Sequence, residues 1–286
     1  MRDAQAKAAV LIEALPYIRR WSGKTVVVKV GGEVLDDDQG LDSFATDITL
    51  LRFVGMNPIV VHGGGIQISE AMRSFGKEPS FIGGYRVTDA DTVDIVRTVL
   101  VGHVNKTLVA AINSHGGRAE GLSGEDEGLL TARKVLGPFS EDLGFVGEVE
   151  SVNSSILKSL VASESIPVVA PFGSGPGGAY NINADLAAGA IAGSMEAEKV
   201  VFLTSVEGLY HDLGDSGSLI SEISVEQLRK LLDSDFLTAG MIPKIQSAVT
   251  AIEAGVRQAH ILDGRVQHAL LLEIFTDEGA GTMVLP

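Results

Sequence analysis

The chain contains no cysteine. Disulfides, thiolate metal sites and Cys nucleophiles are therefore excluded, and nothing decisive follows about redox compartment. Its six histidines show no H-x-x-x-H or H-E-x-x-H spacing, so the expectation is that no protein side chains hold a metal. Positive charge is scarce: 22 Lys and Arg stand against 37 Asp and Glu, for a formal net charge of −15. That balance disfavours nucleic acid or an anionic membrane as the main partner and makes each basic residue in an apolar stretch worth explaining. No uninterrupted apolar run approaches the roughly 20 residues a bilayer requires. The N-terminus mixes Arg2, Asp3, Lys7 and Glu13 with its apolar residues, unlike a secretory signal. A cytoplasmic protein is expected. Familiar signatures are missing as well: there is no G-x-x-x-x-G-K-[ST] and no G-x-S-x-G, which removes the P-loop and α/β-hydrolase readings.

What is present is an ordinary globular composition, 286 residues with 45% hydrophobic, enough for one wide α/β domain or two lobes. Residues 3–20 carry Val10, Leu11, Ala14, Leu15 and Ile18 at the spacing of one helical face, with Pro16 a predicted kink. From Thr25 onward, apolar strands (25–30, 58–62, 166–171, 199–204, 258–262) alternate with amphipathic helices (42–55, 66–75, 90–114, 152–163, 184–194, 224–232, 243–254). This alternation predicts an α/β fold with a mainly parallel sheet between helical layers. A hairpin-like region at 128–151 interrupts it, and Gly173–Gly178 reads as a lobe boundary.

The chemistry concentrates at strand ends. Lys29-Val30-Gly31-Gly32 ends one run of β-branched residues, and His62-Gly63-Gly64-Gly65 ends another. Glycines let backbone N–H groups approach an anion, and a helix starting just beyond adds its positive end, so two such loops suggest a phosphate cradle. The bland alternative is a pair of structural turns, with the Lys29 stem snorkelling to the surface. Asn181-Ile182-Asn183-Ala184-Asp185 opens an Ala/Gly-rich helix. Capping explains one of its three polar residues, and three together favour ligand and cation handling. In Gly240-Met241-Ile242-Pro243-Lys244 a lysine stands in a first helical turn, where it is electrostatically misplaced unless an anion is present. Gly173-x-Gly175-x-x-Gly178 formally matches the dinucleotide fingerprint and keeps an NAD-binding oxidoreductase in view, although Pro176 lies inside the loop and the polar cluster separates its glycines from the helix.

Taken with Gly84-Tyr-Arg-Val-Thr-Asp89, Leu100-Val-Gly102, Val104-Asn-Lys106, Gly121-Leu-Ser-Gly-Glu-Asp126, His260-Ile-Leu-Asp-Gly-Arg265 and Glu278-Gly-x-Gly-Thr282, these segments resemble the N-acetyl-L-glutamate kinases of the amino-acid kinase superfamily over nearly the whole chain. The N-terminal helix resembles the extension of the arginine-inhibited, hexameric branch. Val30, Glu33, Ile66 and Ser205 depart from the usual pattern, which bears on substrate preference and nucleotide affinity.

The resemblance implies a three-layer αβα sandwich in two lobes: an oligomerisation helix over 1–23, an amino-acid-binding and dimerisation lobe over 24–175, and an ATP lobe over 176–286. It implies transfer of the ATP γ-phosphoryl to the side-chain carboxylate of N-acetyl-L-glutamate, with Mg²⁺ held mainly by the nucleotide. Lys29, Lys244, Gly32 and Gly64 would stabilise the transferring group and Asp185 would organise the lysines. Gly63, Gly64, Gly65, Arg86, Asn181 and Asn183 would bind the amino acid, and Gly31, Gly32, Thr204, Ser205, Gly208 and Lys244 the nucleotide. L-Arginine would inhibit from a site built of Tyr17, Lys199, His268, Glu273 and Gly279, in a hexamer made of dimers. An N-acetyl-aminoadipate kinase, one methylene away, and a non-catalytic arginine sensor remain as alternatives.

Overall fold

A computed structural model describes residues 2–212, 215–232, 241–276 and 279–286; Gly240, Glu278 and the Glu33 side chain lie outside the described residues. Val26, Val27 and Val28 are fully buried, as a run without polar alternation must be when helices cover both faces of a sheet. Thr25–Val30 lies inside an eight-stranded sheet whose spatial order is Glu222–Ser224, Thr282–Leu285, Gln258–Asp263, Lys199–Thr204, Thr25–Val30, Asn57–His62, Ile166–Ala170, Ala119–Ser123. Neighbours are parallel except Thr282–Leu285, which runs against Gln258–Asp263 and carries the short strand Glu222–Ser224 with it. The chain winds outward from Thr25–Val30 in one direction and later resumes on its other side with Lys199–Thr204. The crevice at the carboxyl ends of these strands is therefore a topological switch point, where open α/β sheets bind ligands.

Alternation along the strands sorts side chains to two cores. Val27, Val61, Val200 and Phe202 pack with the helices Ala184–Ser194 and Ile242–Glu253. Val26, Val28, Val60 and Val201 pack with Asp38–Phe53, Asn105–Ser114 and Ala269–Phe275. The result is the expected αβα sandwich, with Lys29 on the Val27 side. Ala184–Ser194 and Ile242–Glu253 approach closely because Gly189 has no side chain: a Cβ there would sit 2.8 Å from the Ser247 carbonyl oxygen. That approach brings the first turns of the two helices, with Asp185 and Lys244, together.

Several sequence expectations change in detail. The helix over 90–114 is three segments, Ala90–Arg97, a π-helical Thr98–Val104 and Asn105–Ser114. By length and composition this stretch would suffice to cross a membrane, yet Val96, Leu100, Val104, Leu108 and Ile112 are buried against the protein's own core. The hairpin at 128–151 forms as Leu130–Leu136 and Asp142–Val152, and closes into a four-stranded barrel with Phe172–Gly175 and Gly178–Ile182. Gly173–Gly178 is thus a β-hairpin of that barrel. Its glycines do not lead from a strand into a helix, which overturns the dinucleotide-fingerprint alternative. Three further strands belong to the sheet, and the sequence does not single them out: Ala119–Ser123 is broken by Glu120 and Gly121, and Glu222–Ser224 and Thr282–Leu285 have only three and four residues.

The N-terminal helix runs from Arg2 to Trp21 with Pro16 inside it. Its last turn belongs to the body: Trp21 is buried with Val26 and Ile274, and Tyr17 packs at the edge of the same cluster. The preceding stripe is open to solvent, with Val10, Leu11 and Leu15 50–71% exposed.

Candidate active site

Lys29 leaves the central strand one residue before its end and is only 7% exposed. A buried ammonium needs a partner, and Asp185 supplies it: Lys29 Nζ lies 3.0 Å from Asp185 Oδ1, and Lys244 Nζ 3.6 Å from Oδ2. Asp185 is held at the start of its helix by Asn183, whose side chain accepts hydrogen bonds from the Asp185 and Leu186 N–H groups. Asn183 is therefore the cap, and the Asp185 carboxylate is left to the lysines. Burial pushes its pKa up, but Lys29 and Lys244 together outweigh burial and hold it below the usual carboxylate range.

The two glycine loops meet beside this cluster. Gly63 N–H donates to the Val30 carbonyl at 2.9 Å, and a Cβ on Gly32 would stand 3.0 Å from Gln67 Oε1 and 3.5 Å from Gly65 N. Gly64 caps the helix Gly65–Ser74. Two adjoining cavities open here and share Lys29, Gly65, Phe81 and Arg86 in their walls. One, of about 510 Å³, is lined also by Gly31, Gly32, Ile66, Thr204, Ser205 and Lys244. The other, of about 210 Å³, is lined by Gly63, Gly64, Asn181, Asn183 and Asp185. Of the catalytic, amino-acid-binding and nucleotide-binding residues expected from sequence, Gly208 alone lines neither cavity: a Cβ there would meet Thr282 Oγ1 at 2.6 Å, so its smallness serves packing against the last strand.

Arg86 reaches the shared wall from the two-residue strand Tyr85–Arg86, with its guanidinium stacked 4.7 Å from the Phe81 ring. It donates to the Gly65 carbonyl and Ser69 Oγ, both at 2.8 Å, which fixes the planar group against the glycine loop. Burial, with Arg73 second, lowers its pKa to about 10, so it stays cationic at neutral pH. Asn181, which also lines the smaller cavity, has its Nδ2 3.4 Å from Thr88 Oγ1.

A separate cavity of about 400 Å³ lies under the N-terminal helix, lined by Tyr17, Arg20, Trp21, Lys199, His260, Glu273 and Gly279 among others. Glu273 Oε1 pairs with Lys199 Nζ and His260 Nδ1, each at 2.8 Å, and Oε2 accepts from the Ala280 N–H at 3.1 Å. Burial would raise the Glu273 pKa, but His260 and Lys199 overcome it and hold the group down to about 2. Four of the five residues expected here line the cavity. His268 does not: it sits at the start of Ala269–Phe275, with Nδ1 2.6 Å from Asp47 Oδ1. The histidine in this cluster is His260. The sequence hid it inside an apolar strand, and only the pairing of Val201 with His260 in the sheet sets it beside Lys199.

A mainly parallel αβα sandwich with glycine loops and a lysine pair at its switch point defines a phosphotransferase of the amino-acid kinase fold. The family model described as the amino acid kinase family matches residues 24–263. Acetylglutamate kinase of Syntrophobacter fumaroxidans is 52% identical across 98% of this chain and 96% of its own. The chain belongs to the acetylglutamate kinases of that family. Among solved structures, N-acetylglutamate synthase from Neisseria gonorrhoeae complexed with coenzyme A and N-acetyl-glutamate superposes with a TM-score of 0.86 at 29% identity, covering 98% of this chain and 63% of that longer one. The same synthase complexed with coenzyme A and L-arginine gives 0.80 at 27% identity, covering 97% and 65%.

Proposed function

We propose that this protein transfers the γ-phosphoryl of ATP to the side-chain carboxylate of N-acetyl-L-glutamate, giving an acyl phosphate. The observation that carries the reading is the Asp185 carboxylate set between Lys29 and Lys244 where the two glycine loops meet. The acceptor carboxylate is ionised at neutral pH, so no general base is needed. The obstacle is bringing one anion to another, and fixed positive groups around a loose in-line transition state answer it. Lys29 and Lys244 supply that charge, the Gly32 and Gly64 N–H groups donate, and Asp185 holds both ammonium groups in place. The larger cavity, with Gly31, Thr204 and Ser205, suits the nucleotide; the smaller, with Arg86 and Asn181, suits the acetylated amino acid. Mg²⁺ would travel with the nucleotide phosphates, because the central carboxylate is already committed to two lysines.

The test is ATP-dependent hydroxamate formation with hydroxylamine, run on N-acetylglutamate and on N-acetyl-aminoadipate. Product from neither would reject the reading, and product from the longer acid alone would reassign the substrate. Two variants probe the roles. Asp185→Asn is expected to cut kcat by at least about tenfold while the protein still melts cooperatively, since its work is positioning charge; a change in Tm alone would reduce Asp185 to a structural ion pair. Arg86→Lys keeps the charge and loses the fork, so KM for N-acetylglutamate should rise several-fold more than KM for ATP. Equal rises would place Arg86 away from the amino acid.

The same reading covers regulation. L-Arginine would bind the cavity walled by Tyr17, Lys199, His260, Glu273 and Gly279, and the exposed stripe of the N-terminal helix would join dimers into a hexamer. Residues 24–175 would form the amino-acid and dimerisation lobe, 176–286 the nucleotide lobe, in a cytoplasmic enzyme. An arginine effect requires different affinity for the open and closed states.

A further inference from the structure

We propose that His62 is a positioning residue that aims the Gly64 N–H at the transferring phosphoryl group, by holding the Gly63 carbonyl from behind. The inference rests on the reading of the glycine loop given above. His62 is fully buried at the end of its strand, and its Nδ1 lies 2.9 Å from the Gly63 carbonyl oxygen. A carbonyl can only accept, so Nδ1 carries the proton and Nε2 must be an acceptor. Asn105 completes the assignment: its Nδ2 lies 3.1 Å from His62 Nε2, 2.9 Å from the Val168 carbonyl and 3.4 Å from the Leu122 carbonyl. Three acceptors around one atom identify that atom as the amide nitrogen.

The consequence for Gly64 follows from peptide geometry. The Gly63–Gly64 peptide is planar and trans, so its C=O and N–H point in opposite directions. A clamp on the Gly63 oxygen therefore turns the Gly64 N–H away from His62, toward the cavity that Gly64 lines. Neighbouring elements hold the clamp in place. The π-helical segment brings Leu100 and Val104 against Gly64, where a Cβ would meet them at 2.7 and 3.3 Å. Gly121 leaves room for the Asn105 amide, since a Cβ there would lie 2.0 Å from Asn105 Oδ1. Burial lowers the His62 pKa to about 4, so the imidazole keeps this neutral tautomer throughout the physiological range.

Two substitutions in the full chain separate aiming from filling. The asparagine side chain places an N–H near imidazole Nδ1, whereas glutamine reaches only to the Nε2 position. His62→Gln is expected to lower kcat on the order of tenfold or more with KM for ATP unchanged, and His62→Asn to recover most of that loss. Equal kcat in the two variants, or a change in Tm without one in kcat, would overturn the proposal. Turnover by the unmodified chain is measured first; its absence would reject the kinase reading and not the clamp. Should neither variant fold, the ¹⁵N shifts of His62 in the unmodified chain decide. Protonation at Nδ1 alone at pH 6 is expected, and an Nε2–H tautomer or a cation at that pH would overturn it.

Discussion

Lys29→Ala is expected to lower kcat by at least about 100-fold, and Lys244→Ala to do the same, because each removes a fixed charge aimed at the group in flight. The two should differ in stability. Lys29 is 7% exposed, so its loss strands a buried carboxylate whose remaining ammonium is 3.6 Å away; breaking a buried pair in this manner costs about 3–5 kcal/mol. Lys244 has a more open side chain, 20% exposed, and its removal leaves the closer Lys29 contact intact. A double variant, Lys29→Ala with Asp185→Asn, should regain much of the lost stability and none of the lost turnover. Near-normal kcat in either single variant would remove the lysine pair from the mechanism.

The second large effect concerns regulation. Deleting residues 2–15 is expected to leave a dimer that still phosphorylates N-acetylglutamate and has lost at least about tenfold in arginine sensitivity, within the usual range of allosteric coupling. The cut must fall before Tyr17, because Tyr17 and Trp21 pack on the body, and removing them would open a core that contains Val26 and Ile274. What the deletion removes is the stripe of Val10, Leu11 and Leu15, exposed in the single chain at a level that favours burial in an assembly. Light scattering that still reports a hexamer, or inhibition at an unchanged arginine concentration, would refute the role given to the helix.

The sequence was legible where one element carries its own signal. Thr25–Val30 and Lys199–Thr204 show their observed bounds in the sequence, because buried parallel strands are continuous runs rich in β-branched residues and bounded by turns. Lys29 and Lys244 stand out because each is a charge where a neutral residue would serve the local structure better, and Asp185 because it is one of three polar residues at a helix start that a single cap would satisfy. The rest depends on contacts between distant segments. The barrel pairs Leu130–Leu136 with Phe172–Gly175 in parallel, across a full helix and a sheet strand, and no local pattern encodes that partner. The π-helical Thr98–Val104 keeps the apolar periodicity of its flanking helices and so passed as part of one helix. In the sequence His62 is legible only as part of a glycine motif, because Asn105, which meets its far nitrogen, lies 43 residues away.

Trp21 has an experimental use. It is the sole tryptophan in the chain, so near-ultraviolet emission excited at long wavelength arises from a single indole. That indole lines the cavity under the N-terminal helix, with the Lys199 ammonium 4.8 Å and the Arg20 guanidinium 5.1 Å from its ring. Indole fluorescence responds to nearby charge, so a cationic ligand that displaces either group should change its colour and yield. The protein thus carries a built-in optical reporter at the proposed regulatory cavity, in a pocket separate from the one that holds the lysine pair and independent of turnover. Titration with L-arginine in the absence of nucleotide should give a saturable spectral change, read directly from the unlabelled protein.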